Sequence, residues 1–313
     1  MKTMINTTHI EGLVYDHKLT KKISGEHSKN PGTEFINGVL NIATDDACMN
    51  VIPIHFSYVT ATTAKGASNN TFNVLSKIID GAPTVAKDGR DNATKVRVDS
   101  AVGVNDFYAD LNDETPVSVK RNEGGFIHIV DTLDEDEKKR SYFETDILIT
   151  GVRDVDADEE RKLPAKVVVK GYVFDFRKAI FPVEYSVLNA NGMKYFQKMD
   201  CSPSSPVFTK VWGRQVSQTI RTETTEESAF GEDSVRIRET TNRDFVITGT
   251  SKFPYEWDDE KTITAQEVSK ALQDREIYLA GVKKSQEEYQ NSKGKGKAGA
   301  TISPSTATSG YNF

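Results

Sequence analysis

A mainly β chain, built as two five-stranded Greek-key barrels in tandem and followed by a C-terminal amphipathic helix and a disordered tail, is what these 313 residues predict. Three observations carry that reading. Short β-branched runs of period two, parted by clusters of Gly, Asn, Asp and Pro, fill most of the chain. The order strand, strand, strand, helix, strand, strand occurs twice, in halves of about 130 residues, each of ordinary domain size. A helix between the third and fourth strands separates such a barrel from a sandwich, which has no barrel end to plug.

The first half, residues 1–133, opens with the strand THIEGLVYDH and a polar, lysine-bearing loop, KLTKKISGEHSKNPG. TEFINGVLNIAT and MNVIPIHFSYVT follow, joined by DDAC, short enough for a hairpin. In NTFNVLSKIIDG, Phe72, Leu75, Ile78 and Ile79 share a helical face and Gly81 stands where the helix should stop. After the polar excursion APTVAKDGRDNA come TKVRVDSAVGV and TPVSVKRN with GGFIHIVD. The charge run LDEDEKKRS should bury nothing, so residues 134–141 read as a linker or an exposed hairpin edge.

The second half, residues 142–258, repeats the plan: ETDILITGVRDV, the acidic loop DADEERKLP, AKVVVKGYVFDFR and AIFPVEYSVL. NANGMKYFQKM fits a short helix with Met193, Phe196 and Met199 inward. VFTKVWGRQVSQ, a polar hairpin arm and the strands SVRIRET and DFVITGT complete it. This order is that of the OB-fold. Gly12, Gly38, Gly151 and Gly171 fall inside strands, where a small barrel needs sharp coiling or a plain bulge sits. Residues 259–290 then form a helix that starts with the capping box Thr264 and Glu267. Its apolar stripe of Val268, Ala271, Leu272, Tyr278, Leu279 and Val282 should pack on the barrels, with self-association into a homo-oligomer as the rival use. Residues 291–313 are cationic and Gly/Ser/Thr-rich, the composition of a disordered tail.

Charged residues make up 27% and the formal net charge is −6, which argues against a basic coat for duplex nucleic acid but leaves room for a local cationic groove. No run of about 18 apolar residues exists and the N-terminus lacks a signal peptide's apolar stretch, so a cytoplasmic protein with no membrane partner is expected. Cys48 and Cys201 are too few and too distant for a disulfide framework or a zinc site, and the five histidines show no metal-binding spacing. No nucleotide-loop, nucleophile-elbow or metalloprotease motif occurs, and the carboxylates cluster in loops. The expectation is a protein without cofactor, metal or enzymatic activity.

Four short elements carry a family likeness: IEGLV and ILITGV in the first strand of each half, LNIATDD at the end of a second strand, and VWGRQV in a fourth. In these and in element order, residues 4 to 250 resemble the single-stranded-DNA-binding proteins of bacteria and their phages. The chain departs from that family in being a tandem, in its excursion over residues 80–93 and in its tail, where Phe313 is present without the acidic residues that usually precede it. The resemblance implies a phage-encoded protein that coats single-stranded DNA, with RNA as an alternative, without sequence preference in replication, recombination or repair. It also implies replication or recombination proteins as partners through the tail.

In that family the strand lies across the face of the second and third barrel strands, flanked by loops, with bases stacked on rings and cations following phosphates. Residues 166–178 put Lys170, Tyr172, Phe174 and Phe176 on one face, continued by Arg177 and Lys178. Val167, Val169, Gly171 and Val173 then form the interior. The same alternation puts Phe208, Lys210, Trp212 and Arg214 outward beside them. The first half offers Phe35 and, near the rim, His55, Ser57 and Tyr58, with Lys18, Lys21, Lys22 and Lys29 in the first loop. The competing reading is that a bulge flips the register and swaps inside with outside, or that the C-terminal helix covers the second-half face, so that its rings are core. The competing function is a structural or adaptor protein of a virion or similar assembly, using the barrels for protein contacts.

Overall fold

Eleven strands of the computed structural model hydrogen-bond into one sheet, and that sheet closes on itself twice. The structure describes residues 4–26, 28–159, 161–226, 228–231, 234–257 and 263–293. Residues 259–262 of the expected helix and 294–313 of the expected tail, with Phe313 and the partner contacts assigned to it, lie outside the described residues.

The first barrel is made by β1 (Asn6–His17), β3 (Glu34–Ala43), β4 (Val51–Thr60), β5 (Lys95–Phe107) and β6 (Val117–Ile129). Strand β1 pairs antiparallel with β3 and β5, β3 with β4 and β5 with β6, and a parallel contact between β4 and β6 closes the ring. The second barrel repeats every pairing with β7 (Ser141–Val155), β8 (Lys166–Phe174), β9 (Ile180–Val187), β10 (Val207–Glu226) and β11 (Ser234–Thr250). Helices α1 (Asn70–Ile79) and α3 (Ala190–Gln197) stand between the third and fourth strands. Both barrels therefore have the OB order.

Period-two alternation decides what each barrel holds. Ile36, Leu40 and Ile42 of β3 meet Ile52, Ile54 and Phe56 of β4, and α1 adds Phe72, Leu75 and Ile78 from one face. In the second barrel Val167, Val169 and Val173 meet Val183, Tyr185 and Val187, with Phe196 from α3. Asn69 and Asn189 cap the two helices with their side chains, each satisfying an otherwise orphaned backbone N–H. Gly38 has φ +131 and its missing Cβ leaves room for the Lys18 carbonyl, whereas Gly151 sits in open space at a register shift and is a plain bulge.

Three expectations are corrected. The lysine-bearing loop contains a short strand, β2 (Thr20–Ile23), which pairs with β3 and widens the sheet beyond the barrel. The excursion after α1 contains the short helix α2 (Val85–Asp88), capped by Thr84. The charge run between the halves is packed: Arg140 is buried, donating to the Asp134 carbonyl at 2.6 Å and to Asp46 at 2.8 Å. A charge run can bury a guanidinium when carbonyl and carboxylate acceptors meet it.

The two barrels meet through equivalent strands. The first residues of β1 pair antiparallel with the first residues of β7, from Asn6↔Thr145 to Ile10↔Ser141. Asn122 and Gln215, both buried, exchange amide hydrogen bonds of 2.7 and 2.8 Å across the joint. Helix α4 (Ala265–Lys293) begins with the Thr264 and Glu267 capping box and packs on both barrels. Its Arg275 donates at 2.7 Å to Asp106, which is almost wholly buried, and its Gln286 bridges the backbone of Tyr108. None of the described helices is long and apolar enough to cross a membrane.

Candidate nucleic-acid interface

The second-barrel face points outward as the alternation requires, yet most of it is covered. After β11 the chain turns back across β10, where Ser251 N–H donates to the Lys210 carbonyl at 2.9 Å and Tyr255 N–H to the Phe208 carbonyl at 2.7 Å. The Tyr255 and Trp257 rings thereby sit 4.8 and 6.2 Å from the Phe208 ring. Phe174 (0% exposed) and Phe208 (2%) are sealed into a cluster with Met4, Ile180, Ile263 and Ala271, and Tyr172 packs against its side. Both Phe174 and Phe208 are thus core residues rather than open platforms, because α4 and the segment before it supply the apolar partner that such rings need.

The cations of this face are also engaged. Lys170 pairs with Glu184 at 3.0 Å, and Lys210 pairs with Glu144 at 2.8 Å while lying 5.6 Å above the Trp212 ring. Trp212 is half-buried over Gly249, where a Cβ would stand 2.5 Å from the indole, and Arg214 is half-buried. Phe176 (56% exposed), Arg177 and Lys178 are on the surface, but at the turn between β8 and β9, away from the sheet face.

In the first barrel the described part of the segment after β11 leaves the equivalent face uncrossed. Its outer rows run straight across three strands: Lys22 of β2 faces Phe35 of β3, which faces Thr60 of β4. A register shift between Ile36 and Gly38 brings Tyr58 to this side, with its ring 4.5 Å from that of Phe35 at an interplanar angle of 38°. Both rings are half-buried, as Trp212 is, but the described segment after β11 crosses β10 rather than this face. Lys18, Lys22 and Lys29 are exposed and form no ion pair among the described residues, whereas Lys21 points the other way and holds Asp80 at 2.9 Å, tying β2 to the end of α1. Lys21 therefore serves the fold.

Farther along, Val39 lies opposite His55. Burial pushes the His55 imidazole down to about 4, and the nearby positive charges of Arg121 and Arg243 add to the effect. At neutral pH the ring is uncharged, so it can stack or hydrogen-bond but cannot neutralise a phosphate. Arg243 comes from β11, so the long β10–β11 ribbon of the second barrel borders the first barrel's face. Sequence reasoning placed Tyr58 only near the rim and missed its ring pairing with Phe35. The signal was the count of strand residues around the bulge, which alternation alone cannot supply.

A pair of rings at a sheet surface, beside exposed ammonium groups that form no ion pair among the described residues, can stack unstacked bases and follow a backbone. No curated protein matches the chain. Among solved structures it is similar to a deletion mutant of the single-stranded DNA binding protein from Thermus aquaticus, with 8% identity, a TM-score of 0.45, and 84% of this chain and 100% of that chain covered. The YorF family model matches residues 5–292, and the chain belongs to the YorF family.

Proposed function

We propose that this YorF-family chain binds single-stranded DNA without sequence preference, through the outer β2–β3–β4 face of its first barrel, and acts by binding alone. The observation that supports this reading is the Phe35–Tyr58 ring pair in a row with the exposed Lys22, on a barrel face that the described residues of α4 leave uncovered. Bases stack on the two rings at about 1–3 kcal/mol each, and Lys18, Lys22 and Lys29 follow the phosphates. The finer role is to hold strands exposed during phage replication, recombination or repair in the cytoplasm of the host, in contact with the proteins of those processes.

Anisotropy titration of a labelled oligo-dT at two salt concentrations tests the reading. Binding whose affinity falls as salt rises is the expected result, since a few neutralised phosphates release their counterions. Absence of binding at low salt would sink it and favour an adaptor that uses the barrels for protein contacts.

A further inference from the structure

Beside the Phe35–Tyr58 pair the first barrel has a cavity. The backbones of β4 and β6 pair at Ile54↔Asn122 and His55↔Glu123, and beyond His55 and Glu123 the register pairing ends. The gap between residues 56–60 and 123–128 holds about 200 Å³. It is held open: the Phe56 ring occupies the place of a Gly124 side chain, and Thr71 at the start of α1 donates to the Gly125 carbonyl at 3.4 Å. The second barrel cannot form the equivalent space, because β9 stops at Val187, directly after its contact with β11 at Ser186, and the chain enters α3.

We propose that this cavity takes one unpaired nucleobase extruded from the bound strand. The inference rests on the DNA-binding reading and deepens it. Three features select a base. The volume lies below the roughly 300–1,000 Å³ of pockets for drug-sized ligands, which suits a single ring system. The lining includes Tyr58 and Phe126 (50% exposed) together with Thr60 and Asn70, so aromatic and hydrogen-bonding residues both border the space. Tyr58 belongs to both sites, so a strand stacked on Phe35 is led to the mouth of the cavity. A paired base cannot enter without unstacking and unpairing, which gives the protein a physical means to prefer single strands to duplex.

Ala64 lies exposed in a tight turn on the cavity rim, so Ala64→Trp fills the opening from outside the core. The full chain and this variant are titrated with oligo-dT and with an abasic oligomer of equal length, melting curves being recorded for both proteins. The expected result is that Ala64→Trp loses about tenfold in affinity for oligo-dT, the share of one base contact, while keeping its affinity for the abasic strand and the wild-type salt slope. Phe126→Ala should move the two affinities in the same way. Equal oligo-dT affinity for wild type and both variants overturns the cavity assignment while leaving the binding reading intact. So does an equal loss on both oligomers. If wild type binds neither oligomer, the binding reading itself falls, and this inference with it.

Discussion

The two barrels share a topology and differ in what lies over the same face. In the first, Phe35 and Tyr58 pair their half-buried rings with the exposed Lys22 in the same row. In the second, Phe174 and Phe208 occupy the outward positions under Tyr255, Trp257, Ile263 and Ala271, and Lys170 and Lys210 are matched with Glu184 and Glu144. One barrel spends its outer rings on holding the C-terminal helix, and the other leaves them for a ligand. An aromatic and basic strand face is thus no sign of a binding site until the chain's own later segments have been placed on it.

That contrast can be broken most severely at the covered barrel. Phe208→Ala should cost about 3–5 kcal/mol in urea unfolding, with Phe174→Ala alike, because each leaves a cavity in a sealed cluster. Arg275→Met should cost a similar amount, about 3–5 kcal/mol, since it strands the buried Asp106 carboxylate without its guanidinium. Phe35→Ala should do the opposite, leaving unfolding within about 1 kcal/mol of wild type while weakening oligo-dT binding by about 1–3 kcal/mol. A Phe35→Ala protein that unfolds early yet binds normally would reverse the roles given to the two barrels.

Charge and pH sharpen the comparison by smaller amounts. Lys22→Ala should lower the slope of log affinity against log salt by about 0.7, one phosphate's share on a single strand, whereas Lys170→Ala should leave that slope unchanged. The His55 imidazole sits at about 4 in the fold against 6.5 for the free side chain, so the unfolded state takes up its proton first. Its contribution to stability is complete above pH 6.5 and is lost as pH falls through about 4. Melting temperatures followed from pH 7 to 4 should therefore drop further for wild type than for His55→Gln.

Which side chains face inward was legible in the sequence, because period two leaves Val167, Val169 and Val173, or Ile36, Leu40 and Ile42, no other place to go. Whether an outward ring stays open was not legible. The cover over Phe208 comes from residues far along the chain, and Tyr255 and Trp257 read as the end of a domain rather than as its lid. Strand β2 escaped notice because Thr20, Lys21, Lys22 and Ile23 are all exposed and carry no alternation. The pairing of β1 with β7 escaped it too, since alternation tells which face a strand buries and not which neighbour it meets.

Hydrogen exchange of the backbone amides, recorded on the full chain with and without saturating oligo-dT, separates the two barrels in one experiment. Slowed exchange over residues 20–23, 34–41 and 55–60, with residues 166–174 and 207–214 unchanged, is the outcome that an open first barrel and a closed second one require. Slowing confined to residues 166–174 and 207–214 would show that the strand displaces the C-terminal helix and lies on the second barrel instead.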